Sequence, residues 1–98
     1  MNIVAITSCP TGIAHTYMAA EQLEKKAKEL NHQIKVETQG SMGIENELSQ
    51  DEINKADFVI FAADIDVEQK ERFEGKKIVE VSVQEAIKHP ERAFAQAN

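Results

Sequence analysis

The sequence contains no tryptophan and only one cysteine, and this scarcity excludes several kinds of structure. One cysteine cannot form an internal disulfide, a zinc site built on several thiolates or a CxxC redox motif, and it favours a reducing, cytoplasmic location. No apolar run approaches the roughly 18 residues that a membrane-spanning helix needs, so direct membrane insertion is not expected. The N-terminus also lacks the basic and apolar regions of a signal peptide.

Positive charge is also scarce, because the net charge is −6 and no basic stripe runs along the chain. This argues against a nucleic-acid partner. Neither GxGxxG nor GxxxxGK[ST] occurs, and no cluster has the composition of a metal site, so we predict no cofactor and no metal. With 98 residues and 42% hydrophobic composition, residues 1–98 are expected to form a single domain.

Strands and helices alternate along the sequence. Two nearly continuous apolar runs, Asn2–Ile6 and Asp57–Ala62, predict central strands that are covered on both faces. Ile34–Thr38 alternates apolar and polar residues, which predicts an edge strand with one buried face, and Lys77–Val81 is the fourth strand. Residues 39–43 are expected to be a turn-rich connection.

Helices are predicted between these strands and after the last one, over residues 12–30, 49–56 and 67–73, and from residue 82 with a break at Pro90. This order predicts an α/β fold with a four-stranded parallel sheet, strand order 2-1-3-4 and helices on both faces, similar to the Rossmann arrangement. Ligands bind such sheets where the strand order reverses, which here is between the loops at Cys9 and Asp64.

The loop after the first strand contains the only cysteine, Cys9, at the start of the long helix. The free N–H groups and dipole of a helix N-terminus bind anions and favour a thiolate. We therefore predict that Cys9 is a nucleophile that can carry a phosphoryl group. The predicted phosphate-binding loop comprises the next seven residues: Pro10, Thr11, Gly12, Ile13, Ala14, His15 and Thr16.

Several alternatives remain open for this loop. A single cysteine at a strand end can be a small buried hydrophobic residue. Cysteine-dependent phosphatases place an arginine six residues after the cysteine, whereas this sequence has His15 there. The alternatives are a small cysteine phosphatase or an arsenate-reductase-like enzyme, and a non-catalytic domain that binds an anion or a partner protein. His15 is a candidate hydrogen-bond donor to phosphate, and Gln39 and Asp64 are candidates for the rim of the site.

The sequence resembles the fructose-family (fructose/mannose-type) IIB components of the bacterial phosphoenolpyruvate-dependent sugar phosphotransferase system. The similarity covers essentially the whole chain and is carried by four segments: CPTGIAHTYMAAE at 9–21, VETQGS at 36–41, AD at 56–57 with AAD at 62–64, and RF followed by GK at 72–76.

This resemblance implies that Cys9 accepts a phosphoryl group from a phosphohistidine on a IIA protein or domain. Cys9 would then pass the group to fructose or a related hexose that is bound by the membrane-embedded IIC component. The protein would thus be a phosphoprotein and a protein-phosphohistidine–sugar phosphotransferase of sugar transport. It would act in the cytoplasm, at the inner face of the membrane through IIC.

Overall fold

The computed structural model describes residues 1–9, 13–40 and 43–97, with the side chains of residues 13 and 97 left out. Five strands, four α-helices and one 3₁₀ helix follow in chain order: β1 (Asn2–Ser8), α1 (Ile13–Glu29), β2 (Gln33–Gly40), β3 (Gly43–Glu45), α2 (Gln50–Lys55), β4 (Phe58–Ala63), the 3₁₀ helix (Lys70–Phe73), β5 (Ile78–Val81), α3 (Val83–Lys88) and α4 (Glu91–Ala97).

The sheet has five strands in the order β3-β2-β1-β4-β5, and β3 is antiparallel to β2. The predicted four-stranded parallel sheet with order 2-1-3-4 is therefore wrong. The parallel pairs are β1 with β2, β1 with β4, and β4 with β5, and β3 extends this set beyond β2. The missed strand has only three residues, of which Ile44 alone is a large apolar residue, so it carries no readable alternation.

Because β3 pairs with Thr38, Gln39 and Gly40, β3 and not β2 is the outermost strand here, and the expectation that Ile34–Thr38 is an edge strand is wrong where this pairing begins, at Thr38. Residues 36–39 of β2 are all buried, and these include the charged Glu37. The predicted turn over 39–43 begins too early, since Gly40 still pairs with Gly43 in the β2–β3 ladder. Residues 41 and 42 of that connection lie outside the described residues.

Helix ends follow the capping signals in the sequence. Ser49 and Glu52 form a capping box at the start of α2, and the Ser82 hydroxyl accepts a hydrogen bond from the Glu85 N–H at the start of α3. Helix α1 ends at Glu29, and Asn31, which follows two residues later with a φ of 62°, completes a Schellman motif. In this motif the N–H groups of residues 31 and 32 donate to the carbonyls of residues 28 and 27.

The core has one layer on each face of the sheet. On the first face, α1, α3 and α4 cover a cluster that includes Ile3, Leu23, Ile60 and Phe94. On the second face, α2 and the 3₁₀ helix cover a cluster that includes Ile6, Ile53, Phe61 and Phe73. No described helix has the length and hydrophobicity to cross a membrane.

Candidate functional site

Cys9 is the residue directly after β1, at the carboxyl end of the parallel strands. Its side chain is 3% exposed and belongs to the cluster on the first face of the sheet. Helix α1 begins four residues later, at Ile13. The predicted loop residues Pro10, Thr11 and Gly12 lie outside the described residues, as does the side chain of Ile13. The thiol therefore lies next to a helix N-terminus, where the sequence placed it.

The first turn of α1 brings a histidine towards the thiol. His15 Nδ1 lies 4.0 Å from Cys9 Sγ, and the imidazole is exposed to solvent, as is the neighbouring Ala14. Thr16 is buried, and its backbone carbonyl accepts a hydrogen bond of 3.2 Å from the Thr7 hydroxyl of β1. This bond ties the helix start to the strand that presents Cys9.

Helix α1 differs from the other described helices in the charge of its first turn. Acidic side chains occupy the first turns of α2, α3 and α4, whereas the first turn of α1 has none. Acidic residues normally stabilise a helix N-terminus by interacting with its dipole. No carboxylate within the described first turn of α1 therefore neutralises the positive end of its dipole.

A cavity of about 290 Å³ opens beside the thiol. Three chain segments line it, and their residues are Ser8 and Cys9 at the end of β1 and directly after it, Gln39 and Gly40 at the end of β2, and Ile65, Asp66 and Glu68 after β4. Ile65 is 48% exposed although it is a large apolar residue, and it lies at this opening. The cavity is large enough for a phosphoryl group and part of the molecule that donates or accepts it.

The two predicted rim residues lie in different surroundings. Gln39 lines the cavity beside Cys9 and is 4% exposed. Asp64 lines a neighbouring cavity with Asp66 and Lys70, and its Oδ1 accepts a hydrogen bond of 3.2 Å from the Val83 N–H at the start of α3. Gln39 thus faces the thiol cavity, and Asp64 is engaged in capping α3.

A buried ion pair that was not predicted from the sequence lies behind Gln39, on the second face of the sheet. Glu37 is fully buried and accepts two hydrogen bonds from Arg72, of 2.9 and 3.0 Å. It also accepts one of 2.9 Å from the Leu48 N–H and one of 2.7 Å from Gln39 Nε2. Gln39 Oε1 accepts a bond of 2.8 Å from the Glu68 N–H. These contacts link the ion pair to the wall of the cavity.

Burial alone would raise the pKa of Glu37, but the hydrogen bonds from Arg72, from the Leu48 N–H and from Gln39 hold this pKa below its usual value. The carboxylate is therefore ionised at neutral pH. The hint that the sequence offers is that Arg72 is one of only two arginines, because the alternation over Ile34–Thr38 does not show that Glu37 is buried and requires a cation.

The chain matches the family model described as the lactose/cellobiose-specific IIB subunit of the PTS system over residues 4–96. It is 54% identical to the Escherichia coli K12 "PTS system fructose-like EIIB component 2" over 86 residues, which cover 88% of this chain and 81% of that protein. It is 52% identical over 98 residues to the "Fructose-like PTS system EIIBC component" of the same organism, but spans only 20% of that relative's length.

Solved structures of fructose-specific components of this system are also similar to this chain. A domain of the fructose-specific IIABC component of Borrelia burgdorferi superposes with a TM-score of 0.92 at 48% identity, covering 97% of this chain and 90% of that one. The Escherichia coli structure named as a predicted fructose-specific IIB also gives a TM-score of 0.92, at 39% identity, with coverages of 97% and 84%.

Proposed function

The chain belongs to the IIB components of the sugar phosphotransferase system, which relay phosphoryl groups, and from this premise we propose that Cys9 carries the phosphoryl group. The observation that carries the proposal is the position of the thiol. Cys9 lies between the end of a central parallel strand and the start of α1, and it borders an open cavity of about 290 Å³. This is the end of an α/β sheet at which ligands bind.

The proposed chemistry consists of two displacements at phosphorus. In the first, the Cys9 thiolate attacks the phosphoryl group of a phosphohistidine, so that a P–S bond forms while the P–N bond breaks and the imidazole leaves with the bonding electrons. In the second, a sugar hydroxyl attacks and gives its proton to a base on the acceptor side, so that a P–O bond forms while the P–S bond breaks and the thiolate is regenerated. Positioning and electrostatic stabilisation supply most of the catalysis in such transfers.

The residues around the thiol have distinct proposed roles. The backbone N–H groups of residues 11–16 bind the phosphoryl oxygens at the positive end of the α1 dipole. His15, at 4.0 Å from Cys9 Sγ, donates a hydrogen bond to the phosphoryl group. A phosphocysteine that passes between partners must resist hydrolysis. The phosphatases, which hydrolyse phosphocysteine, bind the phosphate with an arginine at the position of His15. The histidine therefore favours a carrier over a hydrolase. Of the two rim candidates, Gln39 lines the Cys9 cavity, whereas Asp64 lines the neighbouring cavity and belongs at most to the outer rim.

The proposed partners follow from the relay. A IIA protein or domain is the donor, and a sugar bound to a IIC membrane component is the acceptor, which places the chain at the cytoplasmic face of the membrane. The names of the relatives include fructose-like and fructose-specific components, whereas the family model is described as lactose/cellobiose-specific. We propose fructose or a related hexose, because the relatives match over nearly all of this chain at 52–56% identity.

The test is phosphoryl transfer from a IIA protein that has been phosphorylated on histidine with ³²P. The wild type is expected to take up label within seconds, and Cys9→Ser is expected to take up none. Labelling of Cys9→Ser equal to that of the wild type would contradict the proposal. Rapid release of inorganic phosphate from an aryl phosphate by the wild type would instead favour a phosphatase.

A further inference from the structure

The polar network on the second face of the sheet extends from a buried ion pair to the wall of the Cys9 cavity. Arg72 and Glu37 form its buried end, where the guanidinium contacts both carboxylate oxygens at 2.9 and 3.0 Å. Gln39 is the middle member, and the backbone of Glu68 is the end that borders the cavity. The members come from β2, from the segment after β4 and from the 3₁₀ helix.

Each group in the network determines the orientation of the next. An ionised carboxylate only accepts hydrogen bonds, so Glu37 requires the NH₂ group of Gln39 to point towards it. The Gln39 carbonyl oxygen is then directed at the Glu68 N–H, at 2.8 Å. Gln39 Nε2 also donates to the Glu68 carbonyl at 3.2 Å, so the side-chain amide contacts both backbone groups of this residue.

The segment that Gln39 contacts includes an unfavourable backbone conformation. Gln69 has a φ of 58°, in the left-handed region that non-glycine residues seldom adopt. Arg72 Nε donates a hydrogen bond of 3.0 Å to the Gln69 carbonyl, and Arg72 Nη2 lies 3.4 Å from the Glu68 carbonyl. The same arginine therefore orders this turn and keeps Glu37 in place.

We infer that Glu37, Gln39 and Arg72 are positioning residues for phosphoryl transfer at Cys9, because they hold the Ile65–Glu68 wall of the cavity in one geometry. Gln39 does not contact the reacting group in this role, since its amide is engaged with Glu37 and Glu68. The inference rests on the proposed function of Cys9. A displacement of about 1 Å at a reacting centre can slow a reaction by about 100-fold.

The decisive variant replaces both charges with apolar residues, as Glu37→Met/Arg72→Met. Buried ion pairs exchanged in this way often leave a protein as stable as before, whereas the orientation of Gln39 is lost. We expect a folded protein whose unfolding midpoint in urea is somewhat below that of the wild type, because the buried Leu48 N–H loses its acceptor. In transfer from ³²P-labelled IIA, we expect the rate at saturating IIA to fall at least about tenfold, with the half-saturating IIA concentration changed less than about threefold.

Gln39→Met tests the same inference with the ion pair intact, and it decides the question if the double variant does not fold. It is expected to lower the saturating rate similarly. It should also raise the hydrogen-exchange rate of the Glu68 amide but not of the Ile60 amide in the central strand β4. Lys35→Met is the matched control, because Lys35 lies two residues before Glu37 on the same strand and bonds Glu52 at a distance of 2.8 Å. Its transfer rate should equal that of the wild type.

A wild-type saturating rate in a folded double variant or in Gln39→Met would overturn the inference. So would a change confined to the half-saturating IIA concentration, because this would indicate partner binding instead of positioning. Cys9→Ser is assayed alongside. If it loses all label while the network variants transfer normally, the inference fails and the proposed function stands. If Cys9→Ser keeps its label, the proposed function fails first.

Discussion

The two faces of the sheet are built from different interactions. Under α1, α3 and α4, the first face is an apolar layer in which side chains such as Leu23 and Ile60 are fully buried. Under α2 and the 3₁₀ helix, the second face combines an apolar cluster with the buried carboxylate of Glu37 and its partner Arg72. The charged part of this face borders the Cys9 cavity through Gln39.

This difference indicates what each face contributes. Apolar burial is non-directional and stabilises the fold in proportion to the area removed from water. A buried ion pair adds little net stability but fixes the directions of the groups around it. The first face therefore supports Cys9 by packing, and the second face supplies the orientation of the opposite wall of the site. Three substitutions test this division, in order of decreasing effect.

Arg72→Met should have the largest effect, because it leaves the buried Glu37 carboxylate without its cation. We expect a loss of about 3–5 kcal/mol in the free energy of unfolding at pH 7, measured in urea. Lys70→Met, which removes an exposed charge two residues away, should change stability by no more than about 0.5 kcal/mol. An Arg72→Met loss below about 1 kcal/mol would contradict a buried, charged Glu37.

The same variant should also change the dependence of stability on pH. In the wild type the pKa of Glu37 is lowered. Its contribution to the free energy of unfolding is therefore present above its usual pKa of 4.5 and is lost as the pH falls through its pKa in the folded protein. Without Arg72, burial raises this pKa, and protonation then relieves the cost of the unpaired charge. The stability difference between variant and wild type should therefore shrink as the pH falls from 7 towards 4. A difference that stays constant would count against this explanation.

Leu23→Ala tests the apolar face. Leu23 is fully buried in α1, so truncation should cost about 2–5 kcal/mol. This loss should be independent of pH, because no titratable group is removed. Leu30→Ala provides the matched control at a position that is 41% exposed, and should cost about 1 kcal/mol or less. Where Leu23→Ala is still folded, phosphoryl transfer should proceed at the wild-type rate, and a slow folded variant would show that packing also positions the site.

Glu52→Gln should have the smallest effect and contrasts a half-exposed ion pair with the buried one on the same face. The hydrogen bonds from Lys35 and from the Ser49 N–H lower the pKa of Glu52 to about 2. The contribution of Glu52 to the free energy of unfolding is present above pH 4.5 and is lost as the pH falls towards 2. Between these two pH values the free energy of unfolding should therefore decline less in the variant than in the wild type. Coincident curves for variant and wild type in urea titrations at each pH would contradict this.

Local signals in the sequence identified most of the elements that place the site. The apolar runs at β1 and β4 predicted central strands because a strand covered on both faces must be apolar throughout. Asn31, Ser49 and Pro90 marked helix boundaries through backbone chemistry that depends on neighbouring residues alone. The position of Cys9 between a strand and a helix followed from the same kind of signal.

What the sequence did not reveal depends on contacts between distant residues. Strand β3 is too short for a periodic pattern and forms only because it pairs with β2. The pairing of Glu37 with Arg72 likewise joins residues 35 positions apart. Alternation made Glu37 look like a surface residue, because a pattern in one strand carries no information about the arginine that covers it.

The most direct test of the central claim is ³¹P NMR of the wild-type chain after phosphorylation by IIA. Cys9 Sγ and His15 Nδ1 are 4.0 Å apart, so the spectrum must distinguish two possible carriers in one site. We predict one resonance in the range of an S-linked thiophosphate monoester, present in the wild type and in His15→Gln and absent in Cys9→Ser. An acid-labile resonance in the phosphoramidate range, retained in Cys9→Ser and lost in His15→Gln, would contradict the account.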